Sequence, residues 1–443
     1  MISPTYRGNF QQFTGLLDSN NIPYCVMAGT LLGTIRTGDF IEHDEDIDIT
    51  VNVKYKQQVI DLINNSSWEF YAYWRMEFGI VRHNYPKSES KIDIFFYDSD
   101  EKYSYIYSYK KNPMHGIWDI EWRMKFPLGV FDEIKRWKID DIPIFMPIRA
   151  EEILKIEYGP NWKKLDSKWN TYNAPAYDKT YREIAIIIPT FLRPEKLQIL
   201  VKTIQTTFNN EWYRIYIADQ GLYNPDAEKF YNTLRKQGHY CTYLPFNCGL
   251  SYCRNYLVQK STEPFVLIVD DDFICTPKTN LSNFIAILNS DSKLGVVGGE
   301  LLGHQSYHYD LFHDTEHNKL YYIKLTAHNI ERTWKTVVQP RIDFLYKDIV
   351  LNFALFKREV FNNVQWDNNL KLCEHTDFYL QLKKSKKWKV AFTDTVIIQH
   401  QTTNNNAKYA DYRRNINNKQ GFDLLCKKWK FINENDFIYL KEN

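Results

Sequence analysis

The sequence predicts an α/β protein of two domains, and three observations carry that expectation. The chain has 443 residues, more than one ordinary hydrophobic core organises. Its second half alternates apolar runs with helical periodicity, the pattern of a doubly wound, mostly parallel sheet. Between the halves, Lys163 to Tyr181 is polar, carries Asn170, Asn173 and Pro175, and reads as a connection. The expected layout is a first domain at 1–165, a linker at 166–181, a second domain at 182–402 and a C-terminal helical extension at 403–443.

In the first domain, residues 6–20 place Phe10, Phe13, Leu16 and Leu17 at helical spacing. Asn20-Asn21 breaks that helix, and Pro23 to Met27 reads as a short strand. Ala28-Gly29-Thr30-Leu31-Leu32-Gly33-Thr34-Ile35-Arg36 is then a small-residue turn opening a helix. Gly29 lets the backbone approach a ligand closely, and the free N–H groups of a helix start favour phosphate. Asp44-Glu45-Asp46-Ile47-Asp48-Ile49 follows. Side chains at i and i+2 of a strand share a face, so Asp46 and Asp48 can hold one cation. A later strand, Lys91 to Phe96, sets Asp93 between apolar neighbours, a costly place for a carboxylate without a metal or partner. A glycine turn, a D-x-D strand and a third Asp on another strand make a phosphoryl- or nucleotidyl-transfer set, in which two metals would hold attacking and leaving oxygens in line.

These residues, with Gly38-Asp39-Phe40-Ile41, Phe126-Pro127-Leu128, Ile142-Pro143-Ile144 and Glu151-Glu152-Ile153-Leu154 through Tyr158-Gly159-Pro160-Asn161-Trp162, resemble the LicD family, which includes the fukutin-like phosphotransferases. The resemblance spans about residues 5–165. It implies a nucleotidyltransferase-like α+β fold and transfer of a phosphorylated alcohol, phosphocholine or a polyol phosphate, from a CDP-activated donor to a glycan. Gly29, Thr30 and Arg36 would lie on the donor, and Asp46, Asp48 and Asp93 would hold the metal, Asp93 also serving catalysis. The family's Pro-Trp before the acidic block is replaced here by Glu42-His43, which bears on the donor moiety rather than on the metal site.

The second domain begins with the buried strand Ile184 to Thr190, ended by Pro189. A helix over Glu195–Thr207, a strand Arg214–Asp219 ending in an acid and a strand Cys241–Leu244 follow. Asn247-Cys248-Gly249-Leu250-Ser251 leads into a helix with Arg254 and Asn255. Phe265-Val266-Leu267-Ile268-Val269 then runs straight into Asp270-Asp271-Asp272. The carboxyl end of such a strand is where open α/β sheets bind ligands, and clustered acids suit Mg²⁺ or Mn²⁺ carrying a diphosphate. A solvated acidic turn is the plainer alternative.

Residues 182–402 are similar to GT-A glycosyltransferases of family 2, and locally to β-1,4-N-acetylgalactosaminyltransferases. The similarity implies a Rossmann-like GT-A domain in which Pro189, Thr190, Arg193 and Asp219 hold the nucleoside and Arg254 lies near the donor. Asp270, Asp271 and Asp272 would form the metal motif, with Asp272 as direct ligand and His400 as a further one; a purely structural His400 is the alternative. Leu372-Cys373-Glu374-His375-Thr376-Asp377-Phe378-Tyr379 resembles the family's E-H-x-D-F-F segment. An inverting transfer needs a carboxylate to accept the acceptor's proton; Asp377 is the first choice and Glu374 the second, although Thr376 or Asp377 also suits a helix cap.

His304, His308, His313 and His317 lack zinc-type cysteine company and read as an acceptor-side loop. Asp343, Asp348 and Asn352 are placed by analogy along the acceptor groove, with Trp334 and Tyr346 stacking on sugar. Arg413, Arg414, Lys427, Lys428, Trp429 and Lys430 surround Phe422, Leu424, Leu425 and Phe431: a terminal helix packed on the core, or a peripheral contact with an anionic membrane carrying a lipid-linked acceptor.

Bulk properties limit the alternatives. Hydrophobic residues at 44% and charged residues at 25% are ordinary for a globular chain, and a net charge of +2 gives no basis for nucleic-acid binding. Aromatic residues reach 16%, which suits sugar stacking and an aromatic core equally. The seven cysteines form neither CxxC nor zinc spacing, so reduced thiols are expected. No signal-like start and no apolar run of membrane-spanning length is present, so a cytoplasmic location is expected. The expected function is bifunctional surface-glycan synthesis with Mn²⁺ or Mg²⁺ in both domains, a UDP-sugar and a CDP-alcohol as donors, and a glycan acceptor. A glycosyltransferase with a degenerate first module, and a glycan-binding scaffold without turnover, are the competing readings.

Overall fold

The computed structural model describes residues 4–41, 44, 46–74, 78–83, 91–111, 118–164, 166, 168–208, 212–302, 308–314, 316, 319–324, 335–337, 342–401, 409, 412, 418–430 and 437–441. Glu42, His43, Glu45, His304, His317, Trp334, Arg413, Arg414 and Phe431, named above, lie outside these residues, as does the side chain of His313. The described residues form two compact units, one from 1–112 with 118–181 and one from 182–443.

The first unit opens with α1 (Pro4–Ser19), β1 (Tyr24–Val26), α2 (Ala28–Arg36), β2 (Ile47–Asn52) and α3 (Lys56–Asn64). Next come β3 (Trp68–Trp74), β4 (Phe78–His83), β5 (Ile92–Ser99), β6 (Tyr103–Lys111) and β7 (Trp118–Pro127). A separate hairpin, β8 (Ile134–Ile139) and β9 (Ile142–Pro147), precedes α4 (Ala150–Tyr158). The sheet runs β1-β2-β5-β4-β3, with β6 beside β5 and β7 beside β6. Its β2 and β5 are parallel, and their register sets Asp48 directly opposite Asp93. The alternation read from sequence is realised: Ile47, Ile49, Ile92 and Ile94 are buried in the core with Phe10, Phe13 and Leu31.

The polar stretch expected as a linker belongs to this first unit. Ala174 and Ala176 are core residues, Trp169, Tyr177 and Tyr181 pack against the core, and Lys125 N–H donates to Ala176 O at 2.9 Å. The ion pair of Asp178 with Arg123, at 2.5 Å, ties the same stretch to β7. Polar composition concealed this because the buried area comes from a few isolated apolar residues rather than a periodic face.

The second unit begins with β10 (Ile184–Thr190), α5 (Pro194–Thr207), β11 (Tyr213–Asp219), α6 (Pro225–Lys236), β12 (Tyr240–Tyr243) and α7 (Leu250–Lys260). It continues through β13 (Phe265–Ile268), β14 (Phe273–Cys275), α8 (Leu281–Ser290), β15 (Leu294–Leu302), β16 (His308–Asp314) and β17 (Lys319–Lys324). Then follow β18 (Lys335–Val337), β19 (Ile342–Lys347), β20 (Ile349–Val350), β21 (Ala354–Lys357), α9 (Glu374–Ser385), β22 (Lys389–His400), α10 (Asn418–Trp429) and β23 (Phe437–Lys441). Prolines 194 and 225 sit at helix starts, where a missing N–H costs nothing.

The main sheet runs β12-β11-β10-β13-β21-β15-β22-β19-β18, with β14 beside β22. The doubly wound expectation holds for the parallel block β12-β11-β10-β13; β21 then runs antiparallel between β13 and β15, so the sheet is mixed. In β10, Ile184, Ile186 and Ile188 face one core while Ala185 and Ile187 face another, which is why this strand reads as a continuous apolar run. The C-terminal extension is not purely helical: β23 pairs in parallel with β17.

Backbone approach in the sheet is tight at Gly299, where an added Cβ would lie 2.5 Å from Val396 O and 2.6 Å from the Phe353 ring. Gly299→Ala is therefore expected to destabilise the second unit by about 1–3 kcal/mol. Urea denaturation measures this, and an unchanged midpoint would contradict the packing.

Candidate functional sites

In the first unit, the turn from β1 to α2 forces Ala28 into a left-handed backbone (φ 45°). Gly29 then lies so close to the Asp44 carboxylate that a Cβ there would overlap it. Thr30 acts one layer behind, its hydroxyl accepting the Asp48 N–H at 2.9 Å. Asp46, Asp48 and Asp93 each present an oxygen to one spot, all within 4.8 Å of one another. They open on a cavity of about 430 Å³ also lined by Asp44, Glu157, Tyr158 and Trp169.

The described lining holds five carboxyl groups and no lysine or arginine. Burial, then Asp46 and other neighbouring acids, drive Asp48 well above the usual carboxylate range. Burial and Asp46 likewise push Asp93 up to about 8, against the opposing charge of Lys91. Burial alone raises Glu157 to about 8, and its Oε2 is buried without a hydrogen-bond partner. Hard oxygen donors converging in this way fit Mg²⁺ or Mn²⁺.

Arg36, read as a donor contact, is not brought into this cavity. Its guanidinium is held by the backbone carbonyls of Trp162 and of Lys164, the latter at 2.7 Å. Glu157 and Trp169 were missed: Glu157 sits inside the quoted Glu151–Trp162 signature but draws no attention beside the D-x-D strand, and Trp169 lay in the supposed linker.

In the second unit, the carboxyl ends of β10 and β13 open on a cavity of about 930 Å³. Pro189, Arg193, Asp270, Asp271, Asp272, Glu374 and His400 line it together. The Arg193 guanidinium bridges Asp271 and Asp272, 2.6 Å from the latter, and lies 4.2 Å from the Tyr409 ring centre. Thr190 donates its hydroxyl to Asp271 at 2.6 Å, supporting the acids rather than lining the cavity. His400 Nε2 is 3.4 Å from Asp272, because β14 and β22 pair Phe273 with His400. Asp272 and His400 thus stand adjacent as an oxygen and a nitrogen donor of the kind that fits a divalent cation, with the same Asp272 oxygen also paired to Arg193. Burial raises Asp271 to about 7 despite the opposing Arg193.

Three sequence assignments change. Asp377 is fully buried away from the cavity, bound by Gln381 (2.7 Å), Trp429 Nε1 (2.8 Å) and Lys428 (2.9 Å), and so anchors α10. Glu374, one turn earlier, is the carboxylate that lines the cavity. Arg254 is 0% exposed and lies beneath the site, 3.1 Å from Glu374 and 3.3 Å from Asp270, coupling the two acids without lining the cavity. Asp219 accepts the Gly221 N–H and the Tyr231 hydroxyl, each at 2.8 Å, shaping the turn that presents Gln220 to the cavity.

Among the acceptor-side residues, Asn352 lines the cavity, whereas Asp348 pairs with Lys383 at 2.5 Å and Tyr346 donates to Asp291 at 2.9 Å. His308 stacks on Phe392 with ring centres 3.8 Å apart, a packing role. Leu425 and Cys426 of α10 are buried, so that helix packs on the core; no helix among the described residues is long and apolar enough to cross a membrane. Gln220, Asn247, Lys371 and Tyr409 also line the cavity and carried no signal in sequence, since each reaches it from a separate loop.

Comparison with known proteins agrees with the two-part layout. The LicD/FKTN/FKRP nucleotidyltransferase domain model matches residues 21–147, and the glycosyl transferase family 2 model matches residues 185–365. The chain is 26% identical over 263 residues to Mus musculus β-1,4 N-acetylgalactosaminyltransferase 2, covering 56% of this chain and 46% of that protein. It is 26% identical over 225 residues to Homo sapiens β-1,4 N-acetylgalactosaminyltransferase 1, covering 49% and 38%. The chain therefore spans less than half the length of these relatives. Among solved structures, it is similar to mannosyltransferase PcManGT from Pyrobaculum calidifontis in complex with GDP-Man and Mn²⁺, with 16% identity, 56% of this chain, 66% of that chain and a TM-score of 0.36. Staphylococcus aureus TarS in complex with UDP-GlcNAc gives 12% identity, 55%, 64% and a TM-score of 0.39.

The raised carboxyls of the first cavity set a pH dependence. The folded, metal-free unit keeps protons on Asp48 and Asp93 that the unfolded chain releases near 3.8, so the stability these two groups contribute is full below that value and drains as pH rises towards about 8. The urea midpoint of metal-free protein is expected to fall between about pH 5 and pH 8, and Mn²⁺ to restore it at the upper end. A flat midpoint across that window would contradict the geometry.

Proposed function

With a LicD domain preceding a family 2 glycosyltransferase domain on one chain, we propose a bifunctional enzyme of surface-glycan synthesis. The observation that carries this reading is that each unit holds its own cavity with an acid set, and that the two sets are balanced differently. The first has five carboxyl groups and no described cationic side chain; the second sets Arg193 and Lys371 among its acids.

The second unit would transfer a sugar, an N-acetylhexosamine, from a UDP donor with inversion. The acceptor hydroxyl attacks the anomeric carbon, its proton passes to Glu374, and the bond to the departing UDP breaks. Arg254 fixes Glu374 against Asp270, and Lys371 reinforces the loop at Asn247 through a 2.8 Å bond to its carbonyl. Asp272 and His400 would hold a Mn²⁺ or Mg²⁺ ion, which supplies charge to offset the leaving diphosphate.

The first unit would transfer a phosphoalcohol, phosphocholine or a polyol phosphate, from a CDP donor onto the glycan. Asp46, Asp48 and Asp93 would hold the cation, and Asp93 would also take the proton of the attacking hydroxyl as CMP leaves. The Tyr158 and Trp169 rings, with centres 4.6 Å apart, give that cavity an aromatic wall beside the acids. A glycan or lipid-linked glycan would be the common acceptor, and the enzyme would act in the cytoplasm where nucleotide-activated donors are found. The intact acids in both cavities weigh against a degenerate first module and against a scaffold without turnover.

Nucleotide-release assays with Mn²⁺ and panels of UDP-sugars and CDP-alcohols test this directly. Asp272→Ala is expected to lower only sugar transfer, and Asp46→Ala only phosphoalcohol transfer, each by about 10³-fold or more. Either variant leaving both activities intact would overturn the assignment. Glu374→Gln should lower the sugar-transfer kcat by about 10²–10⁴-fold. Asp377→Asn should instead weaken the docking of α10 by about 1–3 kcal/mol in a denaturation series; the opposite pattern would restore Asp377 as base.

A further inference from the structure

Cys248 and Cys253 stand on either side of the start of α7. Gly249 caps that helix with φ 99°, so Cys248 immediately before the cap folds back over the residue one turn inside. Side chains at these two positions routinely pack together, and here both are thiols. Their sulfurs are 3.6 Å apart. Cys253 is fully buried, whereas Cys248 is partly exposed.

The surroundings of Cys248 are those of a reactive rather than a filler cysteine. Hydrogen bonding from Cys253 draws its thiol below the ordinary value, with Lys371 adding to the effect against burial. A partly exposed sulfur beside a second thiol is the arrangement in which oxidation proceeds to a disulfide instead of stopping at a single residue.

Cys248 is also wired to the nucleotide cavity. Its sulfur is 3.9 Å from Gln220 Oε1, and that same oxygen accepts the Gly249 N–H at 2.8 Å. Asn247 N–H donates to Gln220 O at 2.9 Å, and Lys371 Nζ donates to Asn247 O at 2.8 Å. Asn247, Gly249, Gln220 and Lys371 all line the cavity. Asn247 is left-handed as well (φ 51°), so the loop has little freedom to absorb a displacement.

We propose that Cys248 and Cys253 are an oxidation site whose disulfide deforms the cavity wall and switches off donor binding. The switching rests on the reading of this cavity as a nucleotide site; the oxidation site does not. With a peroxide as oxidant, the Cys248 sulfur attacks one peroxide oxygen, the O–O bond breaks, and water leaves a sulfenic acid on Cys248. The Cys253 sulfur then attacks Cys248, the S–OH bond breaks, and the departing hydroxide takes the Cys253 proton as a second water. Two thiols and one peroxide become one disulfide and two waters. Closing the sulfurs from 3.6 Å to the bonded distance of about 2.05 Å pulls Cys248 toward α7 and away from Gln220. The three bonds that fix Asn247 and Gly249 take up that movement.

The test treats the reduced full chain with a small excess of hydrogen peroxide, blocks remaining thiols and maps peptides, while calorimetry follows UDP binding in the same samples. The expected result is a Cys248–Cys253 cross-link reversed by dithiothreitol, with UDP affinity at least about tenfold lower in the oxidised form. Cys253→Ser should give no such cross-link and keep its UDP affinity after the same treatment. Recovery of both cysteines as free thiols overturns the proposal, as does a cross-linked chain with unchanged UDP affinity. A cross-link in a chain whose reduced form binds no UDP overturns the nucleotide reading of the cavity and leaves the oxidation site standing.

Discussion

Like-charge repulsion between carboxylates at strand ends is the constraint on which both units turn. Parallel pairing of β2 with β5 puts Asp48 opposite Asp93, and the strand period adds Asp46 on the same face. No lysine or arginine stands in the described lining of that cavity, and burial raises the carboxyls even against Lys91 beside Asp93, so the arrangement favours a bound cation. In the second unit the acids after β13 meet an internal answer: Arg193 spans Asp271 and Asp272, and Arg254 spans Asp270 and Glu374. Removing either arginine would leave buried acid uncompensated, which makes them positioning residues as much as charge partners.

That difference ties structure to chemistry. A purely acidic cavity suits a cation that in turn carries the phosphates of a donor. A cavity that sets Arg193 and Lys371 among its acids would suit, on the proposed function, an anionic diphosphate that arrives with its cation. The Asn247–Gly249 loop joins these groups to α7, so the thiols at the start of that helix sit where a small sulfur displacement reaches the cavity wall.

Much of this was legible in the sequence. The D-x-D strand, Asp93 and the triple acid are local patterns, and strand periodicity alone decides which faces they share. The failures are all non-local. Asp377 reads as a base until α10, more than fifty residues later, brings Lys428 and Trp429 onto it. Arg254 reads as a donor contact because no spacing rule announces an arginine buried between acids from two other segments. The supposed linker hid Ala174 and Ala176, because the bonds that tie Ala176 to β7 and α4 are invisible in the local composition. Arg36 was drawn to the phosphate site by proximity in sequence, whereas the carbonyls that hold it follow about 126 residues later.

The central claim is that one chain carries two acid centres, the first complete in itself and the second completed by a nucleoside diphosphate. Counting bound Mn²⁺ by electron paramagnetic resonance, with and without UDP, tests it most directly. One tightly held ion per chain is expected alone, and a second is expected only with UDP. A count that UDP does not change, or no tightly held ion in its absence, would contradict it.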